Sequence, residues 1–429
     1  MSGDPMKGHT RHMHLRRPLA TVSALALVTF ANIHAEERTA TLPLSVPEAV
    51  GMSPERLDRL KPYFQKYVDE GKLSGVVSLV ARKGKIVHFE NFGKRDVEAD
   101  KAMEKDSLVR IYSMTKPILR VALMMLHEEG KFLLKDKLSK HIPEFADLTV
   151  LEDGEEVTPT HALTVQRLLT HTGGFTYGFF GNTEVDQRYR EAKVLREKNL
   201  QEMIQHLGEI PLQDHPGEKW HYSVSVDIQG HLVEVLSGMP LDKFLQERIF
   251  KPLGMSDTFF EVPADKLDRF AANYRFSKSE TMKLTDGPAD SKFGKEVTFF
   301  SGGGGLVSTA EDYWRFCQML LNKGEFQGQR LLGRKSVELM TLDHLPAVLE
   351  EHEPTSSFGF GLGVQVITDV AASGSPGSVG TYSWGGAAGT IFWIDPEEEL
   401  TAMVMIQLMN SPYELRSEVK SLVYSAIID

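Results

Sequence analysis

The order of apolar patterns along the chain constrains its fold more than any other feature of the sequence. Two Val-rich apolar runs, 75–82 and 85–92, are separated by a Lys-Gly turn and predict a β-hairpin. Helical periods dominate from 113 to 236, and strand patterns return between 361 and 407 before an amphipathic terminal helix. Strands at both ends and helices between them predict an α/β fold in which a mostly helical region is inserted into one sheet domain.

The boundaries of this organisation follow from the same patterns. We expect an α/β domain from 36–111 and 300–429 and a helical domain from 112–299. Predicted helices cover 54–70, 117–129, 164–169, 186–207, 226–236, 310–321 and 413–428, and predicted strands cover 75–82, 85–92, 361–367, 389–394 and 401–407. The run Ser308-Thr309-Ala310-Glu311 is interpreted as the capping box of the helix that ends at 321.

Composition excludes several classes of protein. The single cysteine, Cys317, allows neither an internal disulfide nor a cysteine zinc cluster, and it is predicted to lie in the core. A formal charge of -11 argues against nucleic acid as a partner. The sequence has no H-E-x-x-H, no P-loop and no G-x-S-x-G. We therefore predict no cofactor and no metal, and the acidic cluster at 350–353 is interpreted as a solvated loop.

Residues 1–35 have the pattern of a secretory signal. A basic start precedes an apolar run from 19 to 31, and Ala35 supplies the small residue at the end. The run is shorter than the roughly 20 residues that cross a bilayer. A cleaved signal predicts a periplasmic or secreted protein with no stable membrane span, and the alternative is an uncleaved N-terminal anchor.

The pattern S-x-x-K occurs twice, and its context separates the two copies. Ser417 and Lys420 lie within the amphipathic terminal helix, where they are expected on a polar face. Ser113 and Lys116 instead lie where an extended apolar stretch, 108–112, meets a helix whose first turn is marked by Pro117. Only the first copy therefore has a placement that favours chemistry.

The spacing of Ser113 and Lys116 supports a nucleophile and its base. Three residues along a helix bring the amine beside the hydroxyl on one face. The helix N-terminus and partial burial both disfavour the protonated amine. A base that works near neutral pH requires its pKa to fall by about three units from 10.4.

Further segments give the chain a resemblance to a known family. The chain resembles the penicillin-recognising serine hydrolases, which include the class C β-lactamases and D-alanyl-D-alanine peptidases, and more closely their family VIII carboxylesterase branch. The resemblance extends from about Val46 to Ile428 and rests on five segments: 111–117, 168–174, 220–223, 302–312 and 384–386. It implies a β-lactamase/transpeptidase-like fold, with an antiparallel sheet flanked by helices.

The resemblance also implies roles for individual residues. Ser113 corresponds to the nucleophile, Lys116 to its base, and Tyr222 to the tyrosine that completes the proton path. The segment Trp384-Gly385-Gly386 occupies the place of the lactamases' Lys-Thr-Gly. The backbone N–H of Ala387 would then join that of Ser113 in an oxyanion hole.

Other motifs are interpreted as structural. The triplet His171-Thr172-Gly173 is expected to be a loop signature, and the glycine run 302–305 a tight connection with unusual backbone angles, although it could also cradle an anion. Trp220 and His221 are expected to pack in the core or to form the wall of the cleft.

Departures from the family pattern indicate the substrate. Val224 stands where penicillin-binding relatives have an asparagine, and Trp384 where they have a lysine. Both changes remove polar partners and favour neutral, apolar esters.

The predicted function is hydrolysis of a small-molecule, short-chain carboxylic ester through an acyl-enzyme. The alternatives are a β-lactamase or D-alanyl-D-alanine peptidase of the same fold, and a non-catalytic penicillin-binding-like protein. The oligomeric state is not predicted.

Overall fold

An antiparallel sheet is the framework of the protein. The computed structural model describes residues 42–277, 282–349 and 357–429, so the predicted signal (1–35) and the acidic cluster (350–353) lie outside the described residues. Eight strands form this sheet in the described chain: β1 Gly75–Arg82, β2 Lys85–Asp96, β3 Lys101–Ala102, β4 Phe358–Phe360, β5 Gln365–Ile367, β6 Tyr382–Gly385, β7 Ile391–Asp395 and β8 Leu400–Met405. Their order is β4-β5-β6-β7-β8-β1-β2-β3, so the N-terminal hairpin joins the C-terminal strands through pairs such as Val77 with Met405.

Most of the α-helices lie between β3 and β4. The α-helices of the described residues are α1 Pro54–Leu57, α2 Leu60–Asp69, α3 Thr115–Glu128, α4 Val165–Leu169, α5 Glu184–Ala192, α6 Leu200–Gly208, α7 Ser225–Ser237, α8 Leu241–Leu245, α9 Lys251–Leu253, α10 Ala310–Leu321, α11 Arg334–Met340, α12 Leu345–Val348, α13 Val370–Ser373 and α14 Leu415–Tyr424. Short 3-10 turns cover Pro47–Val50, Tyr112–Met114, Leu138–Lys140, Pro143–Phe145, Ala264–Arg269 and Lys292–Gly294, and a π turn covers Gln246–Phe250. Among the residues described here, no helix is long and apolar enough to cross a membrane.

Side chains alternate between the two faces of the sheet along each strand. Both faces are buried, each against its own core. Val77 and Leu79 of β1 face a core shared with α3 and α10. Val76 and Val80 face a second core, which contains Phe64 of α2 and apolar residues of α14. Every residue of β1 is buried, as suits a strand that lies between β8 and β2 in the middle of the sheet.

Small sheets connect the helical region to this framework. Val109–Arg110 pairs with Val307–Ser308, and this ribbon leads directly into the turn at Tyr112–Met114. The others are Asn273–Phe276 with Met282–Asp286 and Leu408–Met409, Val150–Glu152 with Glu155–Val157, and Glu325–Phe326 with Gln329–Arg330. The first ribbon fixes where α3 begins.

Most of the predicted architecture is confirmed. β1 has the expected ends, and β2 begins at Lys85 as expected but extends to Asp96. Ser53 caps α1 through the Arg56 N–H, and Cys317 is fully buried. The sheet is built from both ends of the chain, as expected. Residues 42–429 pack as one compact unit, and the proposed division at 112 and 299 stays a prediction.

Several local predictions are wrong. The helix expected over 54–70 is two helices, α1 and α2. Lys420, expected on a polar face, is buried over the ring of Trp393. The helix expected over 186–207 is two helices, because Lys193 has a φ of 54° and ends α5. The strand expected over 361–367 is the hairpin of β4 and β5, which turns at Gly363 with a φ of 98°. The cap of α10 is Thr309, which accepts from the Asp312 N–H at 3.2 Å. Ser308 is instead paired with Val109 in the ribbon.

Candidate active site

Ser113 lies at a sharp turn between the ribbon and α3. The residue before it, Tyr112, has a left-handed backbone with a φ of 43°. A non-glycine residue in this region costs about 1–3 kcal/mol and persists only when its surroundings hold it. The Tyr112 hydroxyl accepts a hydrogen bond of 2.9 Å from Asn273, and its ring packs against Phe293. These contacts present the Ser113 side chain, which is half-buried, to an open cavity.

Lys116 extends from the first turn of α3 toward Ser113. Its Nζ lies 3.1 Å from Ser113 Oγ and donates to the carbonyl oxygen of Gly303 at 2.6 Å. The side chain is 1% exposed. Burial lowers the pKa of Lys116 to about 7, and the nearby Asp227 carboxylate works against this. The amine therefore has the basicity that a proton acceptor needs near neutral pH.

Tyr222 approaches Ser113 from the segment before α7. Its hydroxyl donates to Ser113 Oγ at 2.8 Å, and its ring lies 4.6 Å from Lys116 Nζ. Burial raises the pKa of Tyr222 to about 12, although hydrogen bonds with Ser113 and Trp384 work in the opposite direction. The phenol is protonated at neutral pH and is available as a donor.

The backbone of 384–387 passes beside the Ser113 turn. A side chain at Gly386 would lie 2.5 Å from the carbonyl oxygen of Ile111, so only glycine permits this approach. Gly385 ends β6, and its missing side chain leaves room for the guanidinium of Arg416. Ala387 follows as an exposed residue that lines the cavity.

A cavity of about 1220 Å³ opens over Ser113. Aromatic side chains form much of its wall: Phe179, Phe180, Trp220, Tyr222, Phe358, Phe360 and Trp384. The Trp384 ring lies 5.7 Å from that of Tyr222 and 5.5 Å from that of Phe360. Phe179 and Phe180 are 58% and 64% exposed at the rim, and sequence reasoning missed both.

The structure brings most of the expected site residues together, with one exception. Ser113, Tyr222, Trp384, Gly385, Gly386 and Ala387 line the cavity, and Lys116 lies directly behind Ser113. Trp220 lines it as well. Val224 does not, because it is the N-cap residue before α7 and its side chain is fully buried. Its expected contact with substrate is therefore replaced by packing.

The cavity is less neutral than the sequence suggested. Arg275 and Arg416 both line it, and no Asp or Glu of the described chain does. Arg416 lies in the first turn of α14, and its guanidinium lies against Gly385. The lysine lost at Trp384 is thus partly offset by a cation from another element.

His171 and the glycine run have structural roles. His171 is buried and accepts from the Ser223 N–H at 3.3 Å, next to Tyr222, which agrees with a loop signature. None of the glycines 302–305 has a left-handed backbone, so the expectation of unusual angles is wrong. A side chain at Gly303 would lie 2.5 Å from Asp227 Oδ2, and close approach is the reason for glycine there.

The same glycine run does hold an anion, which belongs to the protein itself. The Gly303 N–H donates to Asp227 Oδ1 at 3.0 Å, and Ser301 donates to the same oxygen at 2.6 Å. Sequence reasoning missed Asp227, which lies five residues after Tyr222 on α7. Within the described residues, no group of three or more His, Cys, Asp or Glu side chains could hold a metal ion.

The chain was compared with models of known protein families. The model of the family described as Beta-lactamase matches residues 60–422. The chain belongs to this family. Its fold is therefore the β-lactamase/transpeptidase-like fold that the motifs implied, and the expected family and fold are confirmed.

Relatives within the β-lactamase family include an esterase. The chain is 35% identical over 365 residues to Protein Rv1367c of Mycobacterium tuberculosis, and the aligned region covers 82% of this chain and 90% of the relative. It is 32% identical over 373 residues to Esterase EstB of Burkholderia gladioli, which covers 83% and 91%. The solved structure of EstCE1, a hydrolase with promiscuous acyltransferase activity, superposes with a TM-score of 0.75 at 24% identity, over 86% of this chain and 99% of that one.

These comparisons confirm the predicted type of enzyme. The chain is a serine hydrolase of the β-lactamase fold and of the carboxylesterase type.

Proposed function

We propose that the protein hydrolyses short-chain carboxylic esters through an acyl-enzyme on Ser113. One observation carries this proposal: Ser113 Oγ lies within hydrogen-bond distance of both Lys116 Nζ and the Tyr222 hydroxyl, at 3.1 and 2.8 Å, at the floor of an open cavity. A serine hydroxyl needs an adjacent base to act as a nucleophile near neutral pH. Lys116, buried and with a pKa of about 7, supplies that base.

Acylation begins when Ser113 Oγ attacks the ester carbonyl carbon. As the bond forms, neutral Lys116 accepts the hydroxyl proton, and the carbonyl oxygen becomes an oxyanion. The backbone N–H groups of Ser113 and Ala387 are the proposed donors to it. Ala387 suits this role because it lies on the cavity wall beside the Ser113 turn. Donors fixed in advance stabilise the transition state without reorganisation.

Collapse of the intermediate breaks the bond to the alcohol oxygen. Tyr222 gives its proton to the departing alkoxide, and the proton on Lys116 then restores the phenol through a water molecule. With a pKa of about 12, Tyr222 holds its proton until the alkoxide forms. Water then attacks the acyl-enzyme, the same groups carry the proton in reverse, and Ser113 and the carboxylic acid are released.

The aromatic wall supports an apolar acyl group. Trp384 and Phe360 pack edge to face beside Tyr222, and Trp220 extends this surface. Burial stabilises a bound chain by about 0.8 kcal/mol for each methylene. We therefore propose acyl chains of two to about six carbons. The name of the relative EstB, an esterase, agrees with this class.

A second candidate function is supported by Arg275 and Arg416. β-Lactams and D-alanyl peptides carry a carboxylate, which costs several kcal/mol to bury without a partner. Two guanidinium groups beside the cavity, with no acidic side chain among the described lining residues, offer such a partner. A β-lactamase or D-alanyl-D-alanine peptidase activity is therefore the alternative.

We also propose that the enzyme is exported. The support is the sequence of residues 1–35, which is typical of a cleaved signal. The exported protein would be periplasmic or secreted and would consist of the α/β domain (36–111 and 300–429) and the helical domain (112–299).

A substrate panel on the protein without residues 1–35 tests the proposed activity. It contains p-nitrophenyl acetate, butyrate, hexanoate and decanoate, a penicillin, a cephalosporin and a D-alanyl-D-alanine peptide. We expect kcat/KM for the butyrate ester to exceed that for every β-lactam and peptide by orders of magnitude. Higher kcat/KM for a cephalosporin or the peptide would support the alternative, and no turnover of any substrate would support a non-catalytic protein.

A further inference from the structure

A buried arginine lies one helical turn beyond Lys116, with no acidic partner in direct contact among the described residues. Arg120 of α3 is 0% exposed, and Gly363 packs against its side chain. Its Nη1 donates to the side chain of Gln229, while Nε and Nη2 have no hydrogen-bond partner in the described chain. Burial lowers the pKa of Arg120 to about 9, so it is charged at neutral pH. An uncompensated buried cation is costly and calls for a functional or electrostatic reason.

A buried carboxylate lies on the other side of Lys116. Asp227 of α7 is 0% exposed and is held by Ser301 and by the Gly303 N–H. The carbonyl of the same Gly303 accepts from Lys116 Nζ at 2.6 Å. Asp227 Oδ2 has no hydrogen-bond partner among the described residues. One glycine therefore bridges the amine and the carboxylate.

The groups that face Lys116 are few. Ser113, Tyr222 and Tyr177 lie beside its Nζ, with the tyrosine rings at 4.6 and 5.4 Å. His171 is close enough to sense its charge and is neutral, because burial holds its pKa well below the usual value. Among the described residues, the charged groups that act on Lys116 are Asp227, which favours its protonated form, and Arg120, which disfavours it.

We propose that Arg120 and Asp227 are a matched pair of positioning residues that set the protonation of Lys116 from opposite sides. This inference rests on the proposed function, in which Lys116 is the base. Burial raises the pKa of Asp227, while its hydrogen bonds with Ser301 and Gly303 and the charge of Lys116 work against this. When Asp227 is ionised and Lys116 is neutral, the charges of Arg120 and Asp227 cancel. Protonation of Lys116 then leaves one uncompensated positive charge in the core. Arg120 therefore disfavours the protonated amine, while Asp227 limits how far the pKa of Lys116 falls.

The two charges are removed one at a time, and the acid limb of kcat/KM should move in opposite directions in the two variants. In Asp227→Asn, protonated Lys116 loses its counter-charge, so the acid limb of kcat/KM moves to lower pH. In Arg120→Gln, the repulsion is lost and the limb moves to higher pH. We expect each shift to be at least about one pH unit, the usual effect of a nearby buried charge. The double variant should return toward the wild-type midpoint.

Matched controls separate charge from structure. Ser301→Ala removes one hydrogen bond to Asp227 but keeps its carboxyl group, and Gln229→Ala removes the hydrogen-bond partner of Arg120 but keeps the guanidinium charge, so both should retain the wild-type midpoint. If Arg120→Gln does not fold, the comparison of Asp227→Asn with Ser301→Ala still decides the inference. The assay is hydrolysis of p-nitrophenyl butyrate between about pH 5 and pH 9.5, a range that spans the Lys116 pKa.

The possible results are distinguishable. Opposite shifts in the two charge variants, with unshifted controls, support the pair. Equal midpoints in wild type and Asp227→Asn, or shifts of the same sign in both charge variants, would overturn it. If Ser113→Ala keeps full activity, the proposed function fails instead, because the measured limb would then report some other group.

Discussion

The Tyr222 hydroxyl donates a 2.8 Å hydrogen bond to Ser113 Oγ across 109 residues of sequence. This bond joins two elements that the fold brings together, since Ser113 begins α3 and Tyr222 precedes α7. The Lys116 amine reaches the same oxygen from behind. The proposed base and the proposed proton donor therefore both lie within hydrogen-bond distance of the proposed nucleophile.

Tyr222→Phe removes only the hydroxyl and keeps the ring that packs on Trp384 and Lys116. We expect kcat to fall at least about a hundredfold, the usual contribution of a positioned acid or base. Tyr177→Phe is the matched control, because its buried ring also lies near Lys116 but its hydroxyl makes no hydrogen bond to Ser113 among those that the structure shows. Near wild-type kcat in Tyr222→Phe would limit Tyr222 to packing.

The pH dependence of the wild-type enzyme follows from Lys116. Burial lowers its pKa to about 7, and only the neutral amine accepts a proton. kcat/KM for p-nitrophenyl butyrate should therefore rise with pH through about 7 and level off above it. Lys116→Arg should be inactive over the whole range, since a guanidinium stays protonated. An acid limb centred near the ordinary lysine pKa would contradict the claim that burial lowers the pKa of Lys116.

Trp384 and Arg416 should shift the preference between neutral and anionic substrates in opposite directions. Trp384→Lys adds a cation to the cavity and removes an apolar face, so the ratio of butyrate-ester to cephalosporin kcat/KM should fall at least about tenfold. Arg416→Gln removes a cation and should raise that ratio. Both ratios are measured on the same two substrates. Ratios equal to wild type in both variants would mean that neither residue sets the substrate class.

Export predicts a defined N-terminus. If residues 1–35 are a signal, the protein recovered from the periplasm should begin at Glu36, as N-terminal sequencing would show. A double variant, Leu25→Arg with Val28→Arg, should stay in the cytoplasm at full length, since the apolar run is interrupted. Exported protein that retains residues before Glu36 would instead indicate an anchor.

Local sequence signals predicted the parts of the fold that depend on neighbouring residues. The hairpin of β1 and β2 was predictable because its apolar runs and turn are contiguous. The start of α3 was predictable because Pro117 belongs to a first turn. The break at Lys193 was not, because a left-handed lysine carries no local signature.

The parts of the site that were missed depend on distant contacts. Asp227 and Arg120 look like ordinary polar positions of amphipathic helices, and only the packing of the helices and the 301–303 loop around Lys116 gives them a role. Arg416 is 303 residues from Ser113 in sequence and enters the cavity because Gly385 has no side chain. Val224 was misplaced because its neighbour Tyr222 faces the cavity while Val224 turns inward.

Covalent labelling distinguishes the two serines of the S-x-x-K pattern. Ser113 lines the cavity beside Lys116, whereas Ser417 lies on the exposed face of α14. The measurement is fluorophosphonate labelling, located by mass spectrometry, together with ester turnover in Ser113→Ala and Ser417→Ala. We predict one label on Ser113, no label and no turnover in Ser113→Ala, and wild-type behaviour in Ser417→Ala. Turnover and labelling that survive in Ser113→Ala would contradict the assignment of Ser113 as the nucleophile.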